Sequence, residues 1–263
     1  TVALTSDRME EVRRQAALAR SFDIEVHEIS PAEAAERFPI GDFSNTIAAF
    51  WYPLEGRTNP VDTTMALAKG ARMGGALILE NTTVTGIKKK NGRVRGVVTD
   101  RGEIEAEVVV NCGGMWGREL GLMAGVNVPL HAAEHYYLIT DEIPGIDPSW
   151  PVIEDPASYG YYREEVGGMM IGLFEPVCAP WRIDGVPEDF SFGSLPPDWD
   201  RMGPYVEKAM RRVPVAMETG IRTFFCGPES FTPDLQPIVG EAPELRNYFV
   251  AAGLNSIGIL IGG

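Results

Sequence analysis

The sequence lacks most of the features that mark a secreted, metal-binding or membrane-spanning protein. Its 263 residues include only three cysteines and three histidines. They form no Cys-x-x-Cys pair, which argues against a disulfide scaffold and against an ordinary zinc site. No apolar run approaches the roughly 18 residues that a membrane-spanning helix needs, and no signal peptide is visible at Thr1. We therefore predict no metal, no membrane and a reducing compartment: the cytoplasm, with the mitochondrial matrix as the alternative.

Positive charge is also scarce. Twenty-three Lys and Arg residues stand against 37 Asp and Glu residues, a net charge of −14. The only basic run, Lys88-Lys89-Lys90, lies beside a turn. Because nucleic acids and anionic membranes attract clustered Lys and Arg, we expect neither as a partner. The Gly-x-Ser-x-Gly and Gly-Lys-Ser/Thr motifs of hydrolases and nucleotide kinases are absent as well.

Helix starts and strand patterns are plentiful. Ser30-Pro31-Ala32-Glu33 predicts a capping box, Asn59-Pro60 predicts a second helix start, and Asp7 with Glu10 predicts a third. Met202, Val206 and Met210 predict one face of a helix over residues 200–213. Ala76 to Glu80 is interpreted as a short buried strand. The mixture predicts an α+β fold.

A β-meander follows in the middle of the chain. Asn91-Gly92 is the strongest two-residue hairpin signal. Residues 103–110 alternate as one strand, which runs into Asn111-Cys112-Gly113-Gly114. A strand that ends in small residues before a helix lets a ligand approach the backbone.

The two ends of the chain suggest a piece of a longer protein. The last seven residues form a Gly-rich apolar run, where a domain usually ends in a polar tail. We predict a partial α/β domain over residues 1–128, an inserted antiparallel-sheet domain over residues 129–222, and a return to the first domain over residues 223–263.

Four short segments, taken in order, resemble a known family. They are Thr83-Val84-Thr85-Gly86-Ile87, the segment from Val109 to Trp116, the segment from Phe231 to Gly240, and Ala252-Gly253-Leu254-Asn255-Ser256-Ile257-Gly258. Over nearly the whole chain the sequence is similar to FAD-dependent amine oxidoreductases of the D-amino-acid oxidase superfamily, within them to dimethylglycine and sarcosine dehydrogenases. The family's N-terminal Gly-x-Gly-x-x-Gly unit, which holds the FAD pyrophosphate, has no match here.

The resemblance implies which residues contact FAD, which is the expected cofactor. Val84 matches a main-chain contact to the adenine. Cys112 and Gly113 match a strand end that faces the cofactor. Leu254, Asn255, Ser256, Ile257 and Gly258 match a loop whose backbone reaches the flavin ring. For each segment a purely structural role is the alternative.

The resemblance also implies the catalytic residues. His135 matches a histidine that lies at the flavin. The active-site tyrosine of the family matches Tyr161 or its neighbour Tyr162, and we choose Tyr161. Related glycine oxidases place an arginine for the substrate carboxylate where this chain has Gly227, so Arg163 or Arg222 is the candidate cation here.

The implied function is FAD-dependent oxidation of an N-methylated glycine, dimethylglycine or sarcosine, by hydride transfer to the flavin. The partner is then a small amine, and folate is a further partner through a region outside this chain. The alternatives are oxidation of another secondary amine or amino acid, and a non-catalytic binding subunit that lacks the FAD half.

Overall fold

The computed structural model describes residues 1–262. Their α-helices are α1 (Ser6–Ser21), α2 (Pro31–Arg37), α3 (Pro60–Met73), α4 (Gly117–Ala124), α5 (Trp199–Met210) and α6 (Gly258–Ile261). Their strands are β1 (Val2–Ala3), β2 (His27–Ile29), β3 (Ala48–Trp51), β4 (Val84–Lys90), β5 (Arg93–Thr99), β6 (Gly102–Glu105), β7 (Val109–Asn111), β8 (His131–Thr140), β9 (Ile153–Asp155), β10 (Gly160–Glu165), β11 (Gly168–Leu173), β12 (Ile221–Phe231), β13 (Ile238–Glu241) and β14 (Tyr248–Ala252).

The chain separates into two compact units. Unit 1 comprises residues 1–57, 135–178 and 194–227, and unit 2 comprises residues 58–134, 179–193 and 228–263. The mixture of helices and sheets confirms the predicted α+β class. The domain boundaries after residues 128 and 222 stay a prediction.

Unit 1 is built on a five-stranded sheet with the order β12-β8-β11-β10-β9, in which β8, β11, β10 and β9 are antiparallel neighbours. One face of this sheet is covered by α5, whose Met202, Val206 and Met210 are buried as predicted. The covered face carries Tyr136, Leu138, Tyr162, Ile171 and Leu173, all of them fully buried. Since side chains alternate along a strand, the intervening residues point to the other face.

Two ionic contacts hold the loops of unit 1. Arg212 Nε and Nη2 lie 2.9 and 2.8 Å from Asp155 Oδ2, and both side chains are buried. Glu164 accepts from the Gly167 amide at 2.9 Å and from Arg57 Nη2 at 2.9 Å. The Gly167 amide and, secondarily, the Arg57 guanidinium hold the pKa of the Glu164 carboxyl below its ordinary range.

Unit 2 contains two small sheets, β4-β5-β6 and β13-β14-β7. The predicted hairpin joins β4 to β5, and both turn residues have positive φ, 53° at Asn91 and 69° at Gly92. Asn59 caps α3 as predicted, accepting from the amides of Val61 and Asp62, yet α3 buries none of its residues.

Three local predictions differ from the structure. Residues 76–80 form no strand, and Leu77 is 82% exposed; no strand of residues 1–262 pairs with them. The alternating stretch 103–110 is two strands, β6 and β7, in different sheets. Helix α1 is capped by Thr5, which accepts from the Arg8 amide, rather than by Asp7. The capping box of Ser30 and Glu33 is confirmed.

No helix within residues 1–262 combines the length and the apolar character needed to cross a membrane. In the same residues, no group of three or more His, Cys, Asp or Glu side chains is arranged to hold a metal ion.

Candidate functional site

The sheet of unit 1 carries an aromatic cluster, which we define as His135, Tyr137, Tyr161, Phe174 and Phe225. The ring centroid of Phe174 lies 4.7 Å from that of His135 and 5.8 Å from that of Tyr161. Tyr137 stacks on Phe225 at 4.8 Å with an interplanar angle of 24°. The structure therefore brings both predicted catalytic residues, His135 and Tyr161, against the same phenyl ring.

Gly172 makes room for this cluster. It pairs with Tyr161 on one side and with Tyr137 on the other. A Cβ atom built on Gly172 would overlap Cζ, Cε1 and Oη of Tyr161. The phenol of Tyr161 therefore lies across β11 only because residue 172 has no side chain.

Tyr161 and its neighbour Tyr162 have different environments. Tyr162 is fully buried on the core face, where its hydroxyl donates to the Ala209 carbonyl at 2.9 Å and lies 2.9 Å from Ser158 Oγ. Burial strongly raises the pKa of the Tyr162 phenol. Tyr161 points to the opposite face and is only partly buried.

The two candidate carboxylate-binding arginines converge on one glutamate. Arg163 forms an ion pair with Glu165, and Arg222 Nη2 lies 3.4 Å from the Glu165 carbonyl oxygen. The charges of Glu165 and Arg163 also act on Tyr137 of the aromatic cluster. Burial raises the pKa of the Tyr137 phenol, the negative charge of Glu165 raises this pKa further, and the positive charge of Arg163 lowers it. Position 227 has little room for a side chain, since a Cβ there would lie 2.7 Å from Cε1 of Phe225.

The predicted FAD contacts lie in unit 2. Strands β7 and β14 are parallel, with Asn111 beside Val250, so their carboxyl ends meet at one edge of the sheet. Cys112 and Gly113 follow β7, and the loop 253–258 follows β14. Two consecutive non-glycine residues of that loop are left-handed, Asn255 at φ 51° and Ser256 at φ 68°. Left-handed backbone is costly for such residues and needs support from the surroundings.

The Asn255 side chain supplies that support. Its Oδ1 accepts from the Thr232 amide at 2.8 Å and from the Thr232 hydroxyl at 3.2 Å, and its Nδ2 donates to the Gly253 carbonyl at 2.6 Å. The Asn255 side chain thus fixes the conformation of the loop, and the backbone of the loop is left to contact a ligand.

Asn111, the last residue of β7, shapes the following turn through its side chain in the same way. It is not among the site residues predicted from the sequence. Its Nδ2 donates to the Gly117 carbonyl at 2.8 Å, and its Oδ1 accepts from the Gly113 amide at 3.0 Å. A Cβ on Gly113 would lie 2.6 Å from Leu120 Cδ1, so this turn must be tight. An asparagine two residues before a glycine is the signal that could have found it.

A cavity of about 440 Å³ opens beside the loop. Its walls are Met115, Trp116, Pro228, Glu229, Ser230, Leu254, Asn255, Ser256, Gly258 and Ile259. Glu229 is their only ionisable residue, and its Oε2 atom is buried without a hydrogen-bond partner in residues 1–262.

The remaining predicted contacts lie outside these walls. Cys112 is exposed and forms no disulfide within residues 1–262, Ile257 is 43% exposed, and neither residue lines the cavity. Val84 lies at the start of β4, opposite Thr99 in the other sheet of unit 2. Four of the five predicted FAD contacts in the loop 254–258 therefore line one cavity, and Val84 is not among the residues that line it.

Unit 1 also holds a cavity, of about 680 Å³, that contains none of the predicted site residues. Trp51, Tyr52 and Trp150 line it together with Glu55 and Glu154. Burial, and then the charge of Glu154, raises the pKa of Glu55.

The sequence model of the family "DAO: FAD dependent oxidoreductase" matches residues 1–263. The chain belongs to this family of FAD-dependent oxidoreductases.

Known proteins agree with this assignment. The chain is 38% identical to the mitochondrial sarcosine dehydrogenase of Mus musculus, covering 100% of this chain and 29% of that protein. It is 34% identical to the mitochondrial dimethylglycine dehydrogenase of Rattus norvegicus, covering 96% and 30%. The solved L-proline dehydrogenase from P. horikoshii superposes with a TM-score of 0.83 at 26% identity, covering 98% of this chain and 67% of that one. The chain thus spans about three tenths of the length of these curated relatives.

The residues of unit 2 fit part of an FAD molecule. The tight turn at Gly113 leaves no room for a side chain, and Leu254, Asn255, Ser256 and Gly258 line the cavity. The buried Oε2 of Glu229 lacks the donor that a ligand could supply. Cys112, Gly113 and the loop would hold FAD through their main chain.

Proposed function

We propose that the full-length protein oxidises an N-methylated glycine, dimethylglycine or sarcosine. FAD, when bound, supplies the acceptor for the hydride that leaves the N-methyl carbon. Two relatives that act on these compounds by name, at 38% and 34% identity, support this substrate class. Their mitochondrial location supports the mitochondrial matrix for this protein.

The observation that carries the proposal is the aromatic cluster with a single imidazole in it. His135 is 8% exposed, and both it and Tyr161 contact Phe174. Aromatic faces attract alkylated ammonium groups through the ring quadrupole, by about 0.5–2 kcal/mol per ring. A tertiary or secondary amine is therefore a better occupant of this cluster than a neutral or anionic molecule.

His135 is proposed to take the proton from the amine nitrogen. Imidazole is the side chain that gains and loses a proton near neutral pH. An amine must be unprotonated to lose hydride from its methyl carbon, because the nitrogen lone pair stabilises the cation that forms. Tyr161 is proposed to orient the amine with its ring face and hydroxyl.

The first experiment is anaerobic mixing of the full-length flavoprotein with dimethylglycine, sarcosine and glycine while the flavin absorption is followed. We expect the two methylated glycines to bleach the flavin and glycine to act far more slowly. Bound flavin that none of these amines bleaches would refute the proposal.

The role of His135 is tested in the same assay with H135A. General acid–base groups contribute about 100-fold or more, so flavin reduction should slow by that factor. The matched control is H27A, because His27 is an exposed histidine paired with Glu25. An unchanged rate in H135A would remove His135 from the mechanism.

A second candidate is oxidation of a different secondary amine, which the fold similarity to L-proline dehydrogenase favours. Adding proline to the substrate panel separates the two. A full-length protein that binds no flavin would instead support the non-catalytic subunit. Folate remains a proposed acceptor of the one-carbon product, through a region outside this chain.

A further inference from the structure

Phe174, the ring that both His135 and Tyr161 contact, lies beyond the end of its strand. The pairing of β11 with β8 ends at Leu173. The Phe174 amide still donates to the Tyr159 carbonyl at 2.8 Å, but the residue is 41% exposed. A half-exposed ring at the end of a strand depends for its position on how the following residues are held.

The next residue, Glu175, is anchored to α5, the helix on the opposite face of the sheet. Its side chain is 2% exposed, and its Oε1 atom accepts from Arg201 Nη1 at 2.8 Å. The same Nη1 atom lies 3.5 Å from the Val177 carbonyl oxygen. Pro176, between these two residues, has no amide N–H to donate. The segment that follows Phe174 is thus held to α5 by Arg201.

The same guanidinium also contacts β8. The Cζ atom of Arg201 lies 5.2 Å from the ring centroid of Tyr136, within the range of a cation–π contact. Because β8 has a hydrogen-bonded strand on each side, Tyr136 is the firmer of the two attachment points. Arg201 therefore ties Glu175, which follows the end of β11, to the interior of the sheet.

The residues before these two attachment points carry the aromatic contact. Phe174 precedes Glu175, and His135 precedes Tyr136. Since side chains alternate along a strand, the preceding residues point to the face of the sheet that lies away from α5. The ring centroids of Phe174 and His135 lie 4.7 Å apart on that face.

The place of Arg201 in its helix indicates a role outside the helix. It is the third residue of α5, where the positive end of the helix dipole disfavours a cation. Its Nε atom lies 3.8 Å from Oδ2 of the N-cap residue Asp198, whereas its contact with Glu175 is 2.8 Å. The pairing with Glu175 is therefore the closer of its two ionic contacts.

We propose that Arg201 is a positioning residue for the aromatic cluster. Through Glu175 it holds the Phe174 ring in place, and that ring fixes the orientation of the His135 imidazole. The inference rests on the proposed function, in which the imidazole takes the proton from the amine. Misplacement of a reacting group by about 1 Å slows a reaction up to about 100-fold.

The first readout reports the contact itself and needs no substrate. The full-length flavoprotein is labelled with ¹³C at the histidine Cε1 atoms, and the His135 resonance is identified by its loss in H135A. A phenyl ring at 4.7 Å shifts this resonance through its ring current. We expect R201M to move the resonance toward the position that it has in F174A.

The second readout is the rate of flavin reduction at saturating dimethylglycine or sarcosine. We expect R201M to slow this rate about 10- to 100-fold, and R201K, which keeps the charge, to restore part of it. In an F174A background, R201M should change the rate by less than about 2-fold, since the ring that Arg201 positions is gone.

The matched control is R211M. Arg211 follows the last residue of α5 and forms an exposed pair with Glu207. R211M should leave both the His135 resonance and the rate of flavin reduction unchanged. If R201M does not fold, E175Q makes the same comparison, because it keeps the size of the buried side chain and removes its charge.

Three results would overturn the inference. The first is an unchanged His135 resonance in R201M. The second is equal slowing by R201M with and without the Phe174 ring, which would indicate a general loss of structure. The third is a normal rate of flavin reduction in R201M. Failure of the proposed function is a separate observation: a resonance that moves in R201M, while no amine bleaches the flavin of the unmodified protein, would support the positioning contact and refute the proposed function.

Discussion

The tightest steric constraint in the aromatic cluster is at Gly172, and Gly172→Ala is the substitution that tests it. The added methyl would overlap Cζ, Cε1 and Oη of Tyr161, while ordinary contact begins at 3.4 Å. The ring must therefore leave its place across β11. The strand pairing of residue 172 with Tyr161 and Tyr137 leaves the backbone little freedom to move instead.

The expected loss of stability follows from this displacement of the Tyr161 ring. Overpacking by one methyl costs about 1–3 kcal/mol where the surroundings cannot adjust. For a protein of this size, about 2–4 °C of melting temperature corresponds to each kcal/mol. We therefore expect G172A to melt roughly 2–12 °C lower. Displacement of Tyr161 by about 1 Å should also slow flavin reduction by amines up to about 100-fold.

The assay is a double-substitution cycle in the full-length flavoprotein. Y161A removes the ring that the new methyl would meet, so G172A should be nearly neutral for stability in a Y161A background. A coupling of about 1–3 kcal/mol between the two positions is expected. Additive effects, or a G172A protein with normal melting and normal flavin reduction, would show that Gly172 does not hold Tyr161 in place.

Three further substitutions separate structural from functional roles. Y162F removes two buried hydrogen bonds and should lower the unfolding free energy by about 1–3 kcal/mol, while amine-dependent flavin reduction stays normal. Y161F should slow amine-dependent flavin reduction, and equal rates of flavin reduction in the two variants would contradict the assignment. E164Q should destabilise the protein by about 1–3 kcal/mol at pH 7. Because the folded pKa of Glu164 is depressed, this stability is complete above the ordinary value of 4.5 and is lost as pH falls through the folded pKa, so the difference between E164Q and the unmodified protein in urea unfolding should shrink as the pH is lowered below 4.5. N255A leaves the buried Thr232 amide without its acceptor and should reduce flavin retention on dilution, and full retention would show that Asn255 does not shape the loop.

Much of the local structure could be predicted because it depends on neighbouring residues. The capping box at Ser30, the cap at Asn59 and the turn at Asn91-Gly92 each need only a few consecutive residues. The strand predicted at residues 76–80 was wrong because strands need a partner, which periodicity does not reveal. The prediction of one strand over residues 103–110 was wrong for the same reason. The apolar alternation continues through these residues, but β6 and β7 pair with partners in different sheets.

Some residues of the candidate site could likewise be predicted from the sequence, and others could not. His135 and Tyr161 could be named from the family resemblance, and their shared contact with Phe174 agrees with that pairing. Gly172, Asn111 and Glu229 could not be named, because their roles depend on a cross-strand neighbour, a turn and a cavity wall. Their functions stay predictions until they are measured.

The left-handed pair Asn255-Ser256 has a consequence for the kinetics of ligand capture. The loop is fixed by side-chain hydrogen bonds within the protein, so it has its binding shape before any ligand arrives. Binding then needs no prior rearrangement of this segment. We expect the observed association rate to rise linearly with ligand concentration in a single phase, without the plateau that a slow opening step imposes.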